Sequence, residues 1–189
     1  MIELTYNPID ISRLLEVVSN PACGAEVLFV GTTRQWTSHP HASGDRTVET
    51  SHLVYEAYEE MAISQLQALA DQARSQWPVQ AVAIVHRLGK VLPMEASVAI
   101  AVGCPHRAEA FEAAQWLIDS IKHDVPIWKQ EHYVQPAGAT PVSAEWIHPT
   151  SGSCHCESEH TDQISQLPQQ APRLQRETKS TQSQQMQQQ

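Results

Sequence analysis

The chain is short of basic residues, with 12 Lys and Arg against 21 Asp and Glu among 189 residues. That scarcity excludes a general polyanion binder, because phosphate backbones are held by clustered cations. Long apolar runs are missing too. No window approaches the ~18 consecutive apolar residues of a membrane-spanning helix, and the first residues, MIELTYNPID, lack the basic-then-apolar order of a signal peptide. The expected location is the cytoplasm, with no membrane and no nucleic acid as partner. Cysteine is sparse: Cys23, Cys104, Cys154 and Cys156 in such a chain read as reduced thiols rather than a disulfide framework. There is no GxSxG, Walker loop, GxGxxG after a strand, or HExxH, so the commonest motif-borne chemistries find no support.

Hydrophobic residues make up 41% of the chain, but residues 151–189 hold only seven of them and no aromatic residue. The expectation is one domain over residues 1–150 and a polar tail over 151–189. Eleven of the last twenty-seven residues are Gln, and a segment with so little to bury cannot offset its chain entropy, so the tail is expected to be disordered.

Alternation over Ile2 to Tyr6 predicts a strand. Asn7-Pro8 offers an N-cap and a first helical residue, Ile11, Leu14, Leu15 and Val18 keep helical spacing, and Asn20-Pro21 stops the helix. A strand over Gly24 to Val30 feeds a long irregular loop, Arg34 to Arg46. Then come a strand (Thr47 to Tyr58), a helix (Glu59 to Gln76) ended by Trp77-Pro78, and buried strands Val79 to Val85 and Ala96 to Val102. A last helix (His106 to His123) and short strands Ile127 to Val134 and Val142 to Ile147 follow. The order β-α-β-β-α-β-β-α-β-β mixes hairpins with crossovers, which predicts an α+β fold with a mixed or antiparallel sheet and about three helices.

The positions of the few cations are informative. On a helical wheel of the last helix, Phe111, Ala114, Leu117, Ile118 and Ile121 fall on one side, and Arg107 and Lys122 lie on or beside it, one at each end. Trp116 falls on the opposite, exposed side, where it would suit a dimer or partner surface. A cation at a helix N-terminus opposes the macrodipole, whereas backbone N–H groups there, with His106 and Arg107, suit a phosphate or carboxylate. The plainer reading is that Arg107 and Lys122 snorkel to water or pair with acids. Lys129 follows Pro126-Ile127-Trp128, whose apolar neighbours can partly desolvate its amine. Arg34 ends Gly31-Thr32-Thr33-Arg34, where a glycine allows close backbone approach to a ligand. Together these four cations point to a local positive pocket in an acidic protein.

Cys104 beside His106 reads better as a buried side chain than as a nucleophile. Cys154-His155-Cys156 with His160 lacks the paired spacing of a closed zinc site, and His39 and His41 lack a third ligand. No metal and no organic cofactor is called for.

The succession GTTR (31–34), LVYEAYEEM (53–61), HRLGKV (86–91), SVAIAVGCPHRAEAFEA (97–113) and IDSIKHDVPIWKQE (118–131) resembles the large, catalytic subunit of molybdopterin synthase, the MoaE family. The match runs from about Glu3 to about Trp146, with the motifs in order and the two lysines at the family's spacing. The resemblance implies an α/β hammerhead-type fold and a sulfurtransferase of molybdenum cofactor biosynthesis. Such an enzyme converts cyclic pyranopterin monophosphate (precursor Z) into molybdopterin by forming a dithiolene. The sulfur comes from the thiocarboxylated C-terminal Gly-Gly of a small ubiquitin-like subunit, and a homodimer of large subunits sits inside a heterotetramer. The positions matching its catalytic residues are Lys122 and Lys129. Those matching Thr32, Thr33, Arg34, His106, Arg107, Lys122, Lys129, Gln130 and Glu131 line its substrate pocket. Competing readings are a non-catalytic anion-binding or scaffold homologue and an unrelated phosphate-substrate enzyme using a Schiff-base lysine.

Overall fold

A computed structural model describes residues 1–38, 47–134 and 146–147, all within the unit Met1–Ser153. Residues 39–46 and the tail, with the domain boundary near residue 150 and the Cys154-His155-Cys156 cluster, lie outside the described residues.

Valine, isoleucine and alanine alternate along two central strands, and that alternation builds three layers. The elements are β1 (Ile2–Thr5), α1 (Ile11–Val18), β2 (Ala25–Thr32), β3 (Trp36–Ser38), β4 (Thr47–Ala57), α2 (Glu59–Gln76), β5 (Ala81–Arg87), β6 (Gly89–Val91), β7 (Ala96–Cys104), α3 (Arg107–Asp124), β8 (Ile127–Tyr133) and β9 (Trp146–Ile147). A four-stranded sheet has the order β1-β5-β7-β2, parallel only between β1 and β5. On one face Val82, Ile84, Val98, Ile100, Val102 and Cys104 pack under α2 and α3. On the other, Ala83, Val85, Ala99 and Ala101 meet Leu14 and Val18 of α1, the small side chains letting that helix approach closely. This matches the expected α+β class, with mixed pairing and three helices.

The second sheet runs β3-β4-β8-β9 with β6 also on β4. Two of its strands fall where irregular chain was expected: β3 inside the Arg34 to Arg46 stretch, paired with the start of β4, and β6 inside the Gly89 to Pro93 turn region. Tyr55 and Ala57 of β4 pack on the core of the first sheet. At that junction His86 of β5 lies edge-on to Tyr55, ring centroids 5.1 Å apart, and its Nδ1 is 2.9 Å from the Arg87 carbonyl, so Nδ1 carries the proton.

Three local expectations are corrected. The N-cap of α1 is Asp10, whose carboxylate accepts from the Arg13 N–H at 3.2 Å, while the Asn7 N–H donates to Thr5 Oγ1 before the helix begins. The buried arc of α3 is set by Ala110, Ala113, Ala114, Leu117, Ile118 and Ile121, which turns Phe111 out to 63% exposure. Trp116 is half-buried, its ring 5.6 Å from that of Trp77, because the end of α2 covers the side of α3 that the wheel assigns to water.

Two outcomes are expected. Asp10→Ala should lose about 1 kcal/mol of stability, the usual cost of a missing N-cap, and Asn7→Ala only a few tenths; urea titrations of both variants check this. Burial holds the His86 imidazole well below its ordinary 6.5, at about 4, against the opposing hydrogen bond to Arg87. The unfolded chain therefore takes up this proton first as pH falls. Its contribution is complete above about pH 6.5 and is lost, by roughly 3 kcal/mol in all, as pH drops towards about 4. Melting curves across this window should fall less steeply for His86→Gln than for the natural chain.

Candidate active site

Successive residues of a strand point to opposite faces, so β8 carries two different surfaces. Its register on β4 sets Lys129 opposite Tyr55, Gln130 opposite Val54, Glu131 opposite Leu53 and His132 opposite His52. Lys129, Glu131 and Tyr133 share one face. Trp128, Gln130 and His132 share the other, where the His52 and His132 rings stack at 4.3 Å and His132 Nε2 lies 3.0 Å from Gln130 Oε1.

The first face carries an ion pair. Lys129 Nζ donates to Glu131 Oε1 at 2.8 Å, and the Tyr133 hydroxyl donates to Glu131 Oε2, also at 2.8 Å. Both charged side chains are mostly covered, 26% exposed for Lys129 and 16% for Glu131. Burial alone would push the Glu131 carboxyl up. The Lys129 hydrogen bond and charge, the Tyr133 hydroxyl and the nearby Arg34 charge outweigh it and hold the carboxyl below its ordinary range. Burial, reinforced by that carboxylate, pushes the Tyr133 phenol up. Burial also raises Tyr55, opposed by its hydrogen bond to Ser97 and by the Lys129 charge. Since Ser97 Oγ in turn donates to the Gly31 carbonyl at 3.2 Å, this face of the second sheet is tied to the end of β2.

There the chain runs Gly31-Thr32-Thr33-Arg34. A Cβ on Gly31 would fall 2.7 Å from Val98 Cγ1, so glycine here serves the packing of β2 on β7 rather than room for a ligand, and the register shifts just after it. Thr32 is exposed, whereas Thr33 is buried and its hydroxyl has no partner. Thr33 is clasped through its backbone: its N–H donates to the Glu95 carbonyl at 3.0 Å and its carbonyl accepts from Met94 N–H at 2.8 Å. Arg34 follows, exposed and within electrostatic reach of Glu131. Lys122 is exposed in the last turn of α3, where a cation suits the helix dipole. The chain passes from there through Val125-Pro126 directly into β8.

His106 and Arg107 are elsewhere. His106 is the N-cap of α3 without a side-chain capping bond, and both residues are exposed. Arg107 and Lys122 are fifteen positions apart on one continuous helix, which at ~1.5 Å per residue sets them about 22 Å apart. One chain therefore brings together Lys129, Glu131 and Arg34 with Lys122 at the strand's approach, and places the His106-Arg107 end of α3 far from them.

Such an arrangement suits an anionic substrate: a half-buried ammonium whose carboxylate partner is already occupied by a hydroxyl, with the exposed Arg34 guanidinium within electrostatic reach of that carboxylate. Tyr133 and Tyr55 were not singled out from sequence. The alternation K-Q-E-H-Y over 129–133 carries the signal for Tyr133, once that segment is read as a strand. Among the described residues no group of three or more His, Cys, Asp or Glu is placed to hold a metal, and no helix is long and apolar enough to cross a membrane.

Residues 4–124 match the model of the family described as MoaE protein. Over 146 residues the chain is 40% identical to the molybdopterin synthase catalytic subunit of Culex quinquefasciatus, covering 77% of this chain and 85% of that one. Among solved structures, molybdopterin synthase from Staphylococcus aureus aligns at a TM-score of 0.66 with 34% identity, over 77% of this chain and 95% of the other. The complex of subunits 1 and 2 of molybdopterin-converting factor from Helicobacter pylori 26695 aligns at 0.54 with 22% identity, over 74% and 92%, and shares the fold. The chain belongs to the MoaE family, that of the molybdopterin synthase catalytic subunits.

Proposed function

We propose that this chain converts cyclic pyranopterin monophosphate into molybdopterin in the cytoplasm, taking sulfur from the thiocarboxylated C-terminus of a small ubiquitin-like subunit. Family membership makes it an enzyme of molybdenum cofactor biosynthesis. The observation that carries the finer reading is the Lys129–Glu131 pair beside Arg34. A thiocarboxylate and a phosphate are both anions, and a site with one ammonium and one guanidinium offers a partner to each.

The pair also bears on the choice between two roles for Lys129, orienting the acyl-sulfur group or forming a transient covalent adduct. A covalent adduct on Nζ first requires its proton to leave, and the neighbouring acceptor is Glu131, which is held below the ordinary carboxylate range and takes up a proton poorly. That favours Lys129 as an ammonium which orients the acyl-sulfur group and stabilises negative charge as it develops, over Lys129 as a nucleophile. Lys122 is assigned proton transfer and charge stabilisation near the reacting carbons. Thr32 completes the lining, whereas Gln130 faces the other side of β8 with His132 and Thr33 is buried.

His106 and Arg107 belong to the same pocket when they come from a second copy of the chain. The supporting geometry is the ~22 Å between the ends of α3, which separates these residues from Lys122 and Lys129 within one chain. Phe111, 63% exposed between those ends, supplies apolar surface for a second copy to cover. A homodimer of large subunits with one small subunit at each site is the assembly this reading requires.

With pyranopterin monophosphate and a thiocarboxylated small subunit, Lys122→Ala and Lys129→Ala should each slow dithiolene formation by about 100-fold or more. Near-normal turnover in both would sink the assignment. The shared pocket has its own check. Arg107→Ala and Lys129→Ala chains, each inactive alone, should regain about a quarter of natural activity when mixed, because half the dimers are hybrids and each hybrid holds one intact pocket of two. No recovery after verified subunit exchange would place Arg107 in the same pocket as its own Lys129.

A further inference from the structure

We propose that Tyr133 is a positioning residue for sulfur transfer: by occupying one oxygen of Glu131 it leaves the other to Lys129 and so fixes where the ammonium is presented. The inference rests on the sulfur-transfer reading above. Its geometry is specific. Tyr133 and Lys129 approach Glu131 from opposite sides along one face of β8, each at 2.8 Å and each on its own oxygen. The Tyr133 backbone is held by the pairing of β8 with Thr50, and the next residue by a 2.8 Å bond from Val134 N–H to the Glu49 carbonyl.

Without the hydroxyl, Glu131 is free to turn so that both oxygens compete for Lys129, and Nζ loses its single defined seat. An error of ~1 Å in such a group is enough to slow catalysis by orders of magnitude. Among the described residues, the charged and titratable groups facing Glu131 are Lys129 and Tyr133 on its own strand, Arg34 beyond β2, and Tyr55 on β4. Removing the Tyr133 donor takes away one of the interactions that keep Glu131 ionised. Its carboxyl should then titrate higher, and the ion pair should fail at a higher pH as solutions are acidified.

The test is Tyr133→Phe in the full chain, which keeps the ring and removes only the hydroxyl. Three things are expected: kcat lower by roughly 10-fold with KM for the pterin within about two-fold, the acid limb of the kcat profile moved to higher pH, and a rise in the Glu131 carboxyl titration followed by carbon-13 NMR without substrate. A purely structural hydroxyl would lower the melting temperature and leave the acid limb in place, and that result overturns the proposal. An unmoved Glu131 titration overturns it also, whatever the rate. No product from the natural chain with a competent small subunit would instead overturn the sulfur-transfer reading, and this proposal with it.

Discussion

Everything chemical on β8 depends on its register against β4. A strand repeats every two residues, so a slip of one would exchange the Lys129, Glu131 and Tyr133 face for the Trp128, Gln130 and His132 face. What pins the register lies mostly on the face away from the chemistry. The stacked His52 and His132 rings hold one end and the edge-on Tyr58 and Trp128 rings, 5.4 Å apart, hold the other. A bulge between Thr50 and His52 lets β4 change its alternation just where that pairing ends. Aromatic packing on one surface thus decides which side chains reach the other, and the ion pair inherits its precision from contacts it does not make.

A second clamp aims Arg34. Arg87 is buried at the end of β5, where Nη1 donates to Glu95 Oε2 at 3.0 Å and Nη2 to the Lys90 carbonyl at 3.1 Å. The same Glu95 oxygen accepts from the Leu92 N–H at 2.8 Å. These bonds close the turn over 92–95, in which Met94 takes a positive φ of 69°, a conformation disfavoured for a side chain of its size. The turn also grips the Thr33 backbone on both sides. A short path from a buried guanidinium through a strained turn thus fixes the backbone just before Arg34, the exposed residue within electrostatic reach of Glu131. The strain sits beside the site it serves.

Much of this was legible in the sequence, and the exceptions have physical causes. The α2 boundaries, Glu59 and Gln76, follow directly from periodicity and the Trp77-Pro78 stop. The strands β5 and β7 announce themselves as runs of Val, Ile and Ala because both their faces are covered. By contrast, a wheel drawn for α3 treats the helix as having one covered side, and α2 packs where the wheel puts water, so Trp116 is partly covered and Phe111 is not. Asp10 takes the cap because the helix begins at Ile11 rather than at Pro8, which puts the Asp10 carboxylate and not the Asn7 side chain in reach of the first free N–H groups. For the site, residue types and spacing named Lys129 and Arg34, and the family resemblance added Glu131. The role of Tyr133 appears only when two residues on the same strand face are seen to share one carboxylate.

The separation of cations along α3 bears on the whole assembly. An α-helix is stiff, so Arg107 cannot fold back to Lys122, and within one chain the two ends of α3 are two weak, unrelated positive spots on a surface of net charge −9. A twofold contact changes this, because in an isologous interface whatever one copy gives the other receives. If the His106-Arg107 end of one copy meets the Lys129 strand of its partner, the reverse meeting follows by symmetry, and two identical pockets form together. Each then joins cations from separate elements, with the α3 backbone N–H groups of one copy facing the Lys129–Glu131 pair of the other. Dispersing the cations in the sequence also limits the repulsion within a single chain, since the charges come close only where an anionic substrate can lie between them.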